Sequence, residues 1–169
     1  ALPDVLDGLR PVDRGVLYVD GVGYPWDGLI SVEENSSGGD FKPYFLDGVK
    51  VSQVPSREDF EATIEAFSSP KQFDQCDGTV EFDNGLFLTQ QPRRPFGLAY
   101  RTLKGNDIAN LELGYKLHLI YNAVAEPSSK QRGTLTDSSV EPATLSWSIK
   151  TKPNWLNGFA PSAHFVVDS

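Results

Sequence analysis

Methionine is absent from this chain, cysteine occurs once, histidine twice, and no stretch is both long and continuously apolar. Each scarcity closes a route. The single thiol, Cys76, excludes an internal disulfide and any metal site built from cysteines alone. No basic residue lies close to it in sequence to lower its pKa, so it reads as a small, semi-buried core residue. Two histidines and no G-x-S-x-G leave a serine-histidine hydrolase without its parts. His118 sits mid-strand between two leucines and reads as a hydrogen-bonded or surface imidazole. His164 precedes a terminal apolar run and has no obvious partner.

No run approaches the roughly 20 apolar residues that cross a bilayer. The opening "ALPDVLDGLRPVDRG" is acidic and proline-broken, unlike a secretory signal, which predicts a protein made and kept inside a cell. Ala1, with no methionine anywhere, suits a start methionine clipped in the cytoplasm. Positive charge is scarce as well: 15 Lys and Arg stand against 23 Asp and Glu, a net charge of −8. Affinity for phosphate comes from basic side chains displacing condensed counterions, and here they are scattered, with Arg93–Arg94 the densest pair. A surface of this sign repels nucleic acid and favours solubility.

What remains is ordinary for a folded domain: 169 residues, 39% hydrophobic and 22% charged, enough to bury a core without staples. Apolar and polar residues alternate repeatedly, the period of a half-buried strand. In "GYKLHLIYNAV" the set Tyr115, Leu117, Leu119 and Tyr121 opposes Lys116, His118 and Asn122, which predicts the first set to be the dry face. In "ATLSWSIKTK" Leu145, Trp147, Ile149 and Thr151 share a face, and in "FGLAYRTLKG" Phe96, Leu98, Tyr100 and Thr102 do. Shorter candidates cover 15–21, 26–34, 44–54, 78–82, 86–91 and 162–168. Turn residues such as "NSSGGD", "LDG", "DNG" and "KGND" separate them. Many short strands with such punctuation predict a mainly β fold, a β-sandwich or barrel.

The stretch "FEATIEAFSSPKQFDQCDG", 60–78, is the ambiguous one. Phe60, Ala62, Ile64 and Ala66 alternate like a strand, yet Phe60, Ile64 and Phe67 also share a helix face. As a strand it places Glu61, Thr63 and Glu65 in a wet stripe. Glu61, Glu65, Asp74 and Asp77 supply carboxylates but no E-x-x-H spacing and no calcium-loop ladder, so they read as a solvated acidic face and no metal site is expected. No phosphate-cradling glycine loop is present either, since "NSSGGD" lacks the lysine and the strand-to-helix setting. Trp26, Trp147 and Trp155 offer a sugar platform and paired carboxylates a glycosidase, although Trp147 on an apolar face reads as core.

Several stretches together resemble the major tail tube (major tail subunit) proteins of long-tailed bacteriophages, particularly those infecting actinobacteria. They are "SVEENSSGGDFKPYFLDGVKV", "EDFEATIEAFSSPKQFDQCDG", "RRPFGLAYRTLKGND", "GYKLHLIYNAVAEPSSKQRGTLTDSSVEPATLSWSIKTKP" and "APSAHFVVDS", in family order from about residue 31 to residue 169. The resemblance implies a β-sandwich with one short helix, six copies closing into a ring around a continuous inner β-barrel, and rings stacked into a tube that conducts the genome. It implies that 58–67 is a strand and "PKQFDQC" the short helix. It implies no enzymatic activity and no cofactor. The partners would be copies of itself, tail terminator, tail tip and tape-measure proteins, and double-stranded DNA in transit, with no membrane insertion. The place would be the virion tail, and the host cytoplasm during assembly. Relatives in that family often continue beyond the point where this chain stops.

On this reading residues 1–14 form an N-terminal arm and 15–169 a single domain with an extended loop around 33–41. Glu61, Thr63 and Glu65 are the expected lumen-facing residues. Leu2, Pro3, Asp4 and Arg10 in the arm, with Ser36, Ser37, Gly38, Gly39, Asp40 and Phe41 in the loop, are the expected contacts between rings, being polar, glycine-rich or proline-broken. Two other readings stay open: a tube of the same fold from a contractile tail or phage-like injection device, and a carbohydrate-binding or glycan-cleaving β-sandwich.

Overall fold

The computed structural model describes residues 12–106, 110–128, 130 and 143–169. In chain order the strands are β1 (Val12–Val19), β2 (Val22–Trp26), β3 (Leu29–Gly38), β4 (Phe41–Leu46), β5 (Val49–Pro55), β6 (Glu58–Ala66), β7 (Val80–Asp83), β8 (Leu86–Leu88), β9 (Phe96–Asn106), β10 (Asn110–Ala125), β11 (Leu145–Thr151), β12 (Asn154–Leu156), β13 (Phe159–Ser162) and β14 (His164–Asp168). The one helical element among the described residues is a 3-10 turn, Lys71–Phe73, inside the stretch expected to be helical. No described helix is long and apolar enough to cross a membrane.

Eight strands form one antiparallel sheet in the order β2-β1-β9-β10-β11-β6-β3, with β14 also on β10. Strand β10 joins two leaves. Its Lys116–Ile120 segment pairs with β14, and its Ala123–Ala125 segment pairs with β11. Between them the register shifts, and Asn122 adopts a left-handed φ of 50°, a conformation asparagine tolerates better than most residues. The sheet therefore splits into β2-β1-β9-β10-β14 and β3-β6-β11, whose inner faces enclose the core.

That core is where alternation placed it on most strands. Ala62, Ile64 and Ala66 of β6, Trp147 and Ile149 of β11, and Phe96, Leu98 and Tyr100 of β9 are buried. Phe73 comes in from the 3-10 turn, with ring centroids 4.9, 5.0 and 5.2 Å from Trp26, Trp147 and Phe96. Such tilted and edge-on pairs add to the burial of large rings. Trp26 Nε1 donates to the Ser68 carbonyl at 2.7 Å, which satisfies the one polar atom it carries inside. Cys76 is also core, and burial pushes its thiol up to about 11.

Three expectations are corrected. On β10 the dry face is the other one: His118 is 7% and Ile120 0% exposed, whereas Leu117 is 44% and Leu119 39% exposed. Opposed residues of a ladder share a face, and Ile120 and His118 lie opposite Leu98 and Tyr100, which already point inward. The pairing overrides the strand's own pattern. Secondly, 33–41 is not an irregular loop. Strand β3 runs to Gly38 in register with β6 from Glu33 opposite Thr63 to Gly38 opposite Glu58, and β4 starts at Phe41. A neighbouring strand with free hydrogen-bonding groups recruits Ser and Gly that have little strand preference of their own. Thirdly, Val12, Asp13 and Arg14, expected in the N-terminal arm, belong to β1, and the rest of that segment lies outside the described residues.

Asp13 lies opposite Arg101 across β1 and β9, and Arg101 Nε donates to it at 2.8 Å. Those hydrogen bonds hold the Asp13 carboxyl below its usual value of 3.8. A carboxyl with a depressed folded pKa contributes fully above the unfolded pKa and loses that contribution as pH falls through the folded one. Urea unfolding should show Asp13→Asn less stable than the parent at about pH 7, with the gap narrowing below about pH 4.

Candidate functional site

The β3-β6-β11 leaf turns one face to the core and the other to water. In register across it lie Ser31, Glu65 and Ser146, then Glu33, Thr63 and Ser148, then Asn35, Glu61 and Lys150, with Ser37 opposite Asp59 at the end. Every side chain in these rows is polar. The carboxylates are Glu33, Asp59, Glu61 and Glu65; the cation paired in these rows is Lys150, with Lys152 exposed just past the end of β11. The Lys150 ammonium is engaged by Glu126 at 3.2 Å and Glu61 at 4.0 Å, and the hydrogen bond to Glu126 raises its pKa. Ser37 Oγ donates to Glu61 at 3.3 Å and Ser31 Oγ to Glu65 at 3.2 Å. The result is an acidic surface whose paired lysine, Lys150, is already occupied, which offers a phosphate backbone little to hold there. Glu61, Thr63 and Glu65 sit at its centre.

The other surfaces differ in kind. Strands β4 and β5 pair only with each other and form a hairpin turned by Asp47-Gly48, both at positive φ as a two-residue turn of the primed type requires. Phe41, Tyr44, Phe45, Leu46, Val49 and Val51 on it are each more than half exposed. The β7–β8 hairpin exposes Phe82 and Leu86, and the β12–β13 hairpin exposes Trp155 and Phe159. Tyr115, Leu117 and Leu119 of β10 form an apolar outer face with Phe165 and Val167 of β14. Trp155, 80% exposed, is the one tryptophan on the surface; Trp26 and Trp147 are in the core and cannot form a sugar platform with it.

The residues expected to join rings are divided. Leu2, Pro3, Asp4 and Arg10 lie outside the described residues. Ser37 is on the wet face of β3, while Ser36 is on the opposite side, opposite Phe60. Gly38 and Gly39, at φ 87° and 79°, turn the chain out of β3 into the hairpin, and Asp40 accepts a hydrogen bond from Ser56 N–H at 2.8 Å that closes its base before Phe41 begins β4.

Alternation gave no sign of one further group. Glu34 lies on the inner side of β3, opposite Ala62, and reaches His118 and His164 of the other leaf. The His118 hydrogen bond above all, with the Tyr100 hydroxyl adding to it, holds the Glu34 carboxyl down to about 2 against the opposing effect of burial. Burial pushes His164 below its usual value. The acidic side chains of the 60–78 stretch do not gather in this way: Glu61 and Glu65 are on the wet face, and Asp77 pairs with Lys130 at 2.7 Å.

No protein-family model and no curated protein matches the chain. Among solved structures, a chain of the sheath–tube complex of an extracellular contractile injection system, PVC, in its extended state is similar at 16% identity. That match covers 97% of this chain and 95% of that one, at a TM-score of 0.45. A chain of the sheath/tube terminator of the same kind of system is similar at 15% identity over 87% and 95%, at a TM-score of 0.41.

A Cβ added at Gly38 would lie 2.3 Å from the Arg57 carbonyl oxygen, in a backbone region that L residues avoid. Gly38→Ala should therefore cost about 1–3 kcal/mol and re-aim the β4–β5 hairpin. Protease nicking between 39 and 56 should speed up, and Tm should fall by roughly 2–10 °C.

Proposed function

We propose that the chain is a structural subunit that closes into hexameric rings, and that the rings stack into a tail tube of the long-tailed bacteriophage type through which double-stranded DNA passes. The observation that carries this reading is the division of the surface: one continuous leaf face is polar and acidic, while the hairpins and the β10–β14 face are apolar and uncovered among the described residues. A lone soluble domain seldom leaves so many large apolar side chains in water, and patches of this kind mark surfaces that a partner covers. The sequence resemblance supplies the kind of partner, further copies of the same chain.

In such a ring the β3-β6-β11 leaf lines the bore, with Glu61, Thr63 and Glu65 facing the lumen. Each retained contact between a basic residue and phosphate would add friction to exit, and an acidic lining whose Lys150 is engaged by Glu126 and Glu61 reduces it. The outer edges of β3, β2 and β14 carry no partner strand among the described residues, and head-to-tail closure turns such edges into joints. The β4–β5 hairpin, extending from Ser36, Ser37, Gly38, Gly39, Asp40 and Phe41, reaches the next ring together with the N-terminal arm. An isolated two-stranded hairpin is marginal in water, so it orders fully on docking. Tail terminator, tail tip and tape-measure proteins then meet the ends and the bore. The role is scaffolding, without catalysis or cofactor.

Electron microscopy of the purified protein at rising concentration should show hollow filaments with six-fold rings, and persistent single globules would count against the reading. The double variant Phe45→Ser, Leu46→Ser alters exposed positions only and should stay folded within about 0.5 kcal/mol. It should form no filaments; filament growth at the parent's rate would remove the hairpin from the joint.

A further inference from the structure

We infer that Glu34, His118 and His164 form a binding site for one divalent transition-metal ion of the zinc class, tying β3 of one leaf to β10 and β14 of the other. The inference does not depend on tube formation. Three potential ligand atoms from distant parts of the chain converge: His118 Nδ1 is 3.1 Å from Glu34 Oε1, His164 Nε2 is 3.6 Å from the same oxygen, and the two nitrogens are 3.2 Å apart. Zinc bonds to imidazole nitrogen and carboxylate oxygen are about 2.0–2.2 Å, so tetrahedral ligands stand roughly 3.3–3.5 Å from one another. The observed triangle has a circumradius of about 1.9 Å, and a cation ~0.7 Å out of its plane would be one zinc bond length from all three atoms. The two imidazole nitrogens face each other almost head-on, with ring centroids 5.4 Å apart, so both rings must turn to aim their lone pairs at the ion while the three ligand atoms stay close to their places.

The surroundings fit a metal as well as the ligands do. Metal-binding imidazoles usually have the second ring nitrogen in a hydrogen bond that fixes the tautomer. His118 Nε2 is 3.0 Å from Thr102 Oγ1, a hydroxyl able to accept the remaining ring proton once an ion replaces the Nδ1–H···Glu34 hydrogen bond. Tyr100 hydroxyl donates to Glu34 and orients the carboxylate, while the Tyr100 ring stacks on His118 at 4.7 Å and Phe60 stacks on His164 at 4.5 Å. His118 is buried and His164 half-buried, and an open cavity lined by Arg57, Phe60, Ser162 and Glu34 reaches His164 from solvent. That cavity gives an ion its entry path and a water the fourth position. With a single cysteine the chain has no disulfide to hold its leaves together, and this ion would serve that purpose.

The test uses the untagged full-length protein, stripped with EDTA and titrated with zinc chloride by calorimetry. One ion per chain should bind, and zinc at about a hundred times its Kd should raise Tm by roughly 5–10 °C. Cobalt(II) should give the intense visible bands of a tetrahedral nitrogen and oxygen site. Glu34→Gln, which keeps size and the tyrosine contact, and His164→Ala should each abolish the Tm rise and the cobalt spectrum while circular dichroism stays that of the parent. The inference is overturned if natively folded parent takes up no zinc at unit stoichiometry, or if both variants bind zinc as the parent does.

Discussion

Opposed residues of an antiparallel ladder point to the same side, and β9 leaves no freedom about which side that is. Leu98 and Tyr100 pack into the core with Trp147 and Phe73, so their partners Ile120 and His118 must follow them in. Tyr115, Leu117 and Leu119 are then fixed on the outside, despite being the more apolar set. The imidazole pays for its burial through Thr102, Glu34 and the stacked ring of Tyr100. The apolar outer face and the cross-leaf group of Glu34, His118 and His164 both depend on this parity.

The bulge at Tyr121–Asn122 adds the second constraint. By releasing β10 from β14 and handing it to β11, it lets one strand serve two leaves, so a chain of moderate length encloses an aromatic core and still presents a flat polar sheet. Both sides of the molecule are then specialised. The acidic leaf keeps its charges in water, where they cost little, while the hairpins carry apolar side chains that gain free energy only when something covers them. On the proposed reading, further copies of the chain cover these side chains.

Much of the fold is legible in the sequence because alternation reports burial wherever a strand has one wet face. Strands β6, β9 and β11 show it, and Glu61, Thr63 and Glu65 fall on the wet side that their spacing implies. Alternation fails on β10, because both its faces carry apolar residues and only the partner decides between them. It fails on β3, where Ser and Gly in "NSSGGD" give local turn signals that the long edge of β6 overrides. The third failure has a different cause. Glu34, His118 and His164 are 84 and 46 residues apart in sequence and come together only through the closing of two leaves, so no local spacing marks them. Only a reader who knew that His118 and Glu34 both face inward would have paired them.

The central claim is that copies of the chain bury the apolar hairpin and leave the acidic leaf wet. Cys76 is buried, with its thiol pushed up to about 11, so a thiol introduced elsewhere reports alone. The direct measurement is the rate at which a small maleimide labels Phe45→Cys and Thr63→Cys, each before and after assembly. The account expects the thiol at 45 to become protected and the thiol at 63 to stay reactive through the open ends of short assemblies. Protection at 63 with continued labelling at 45 would contradict it.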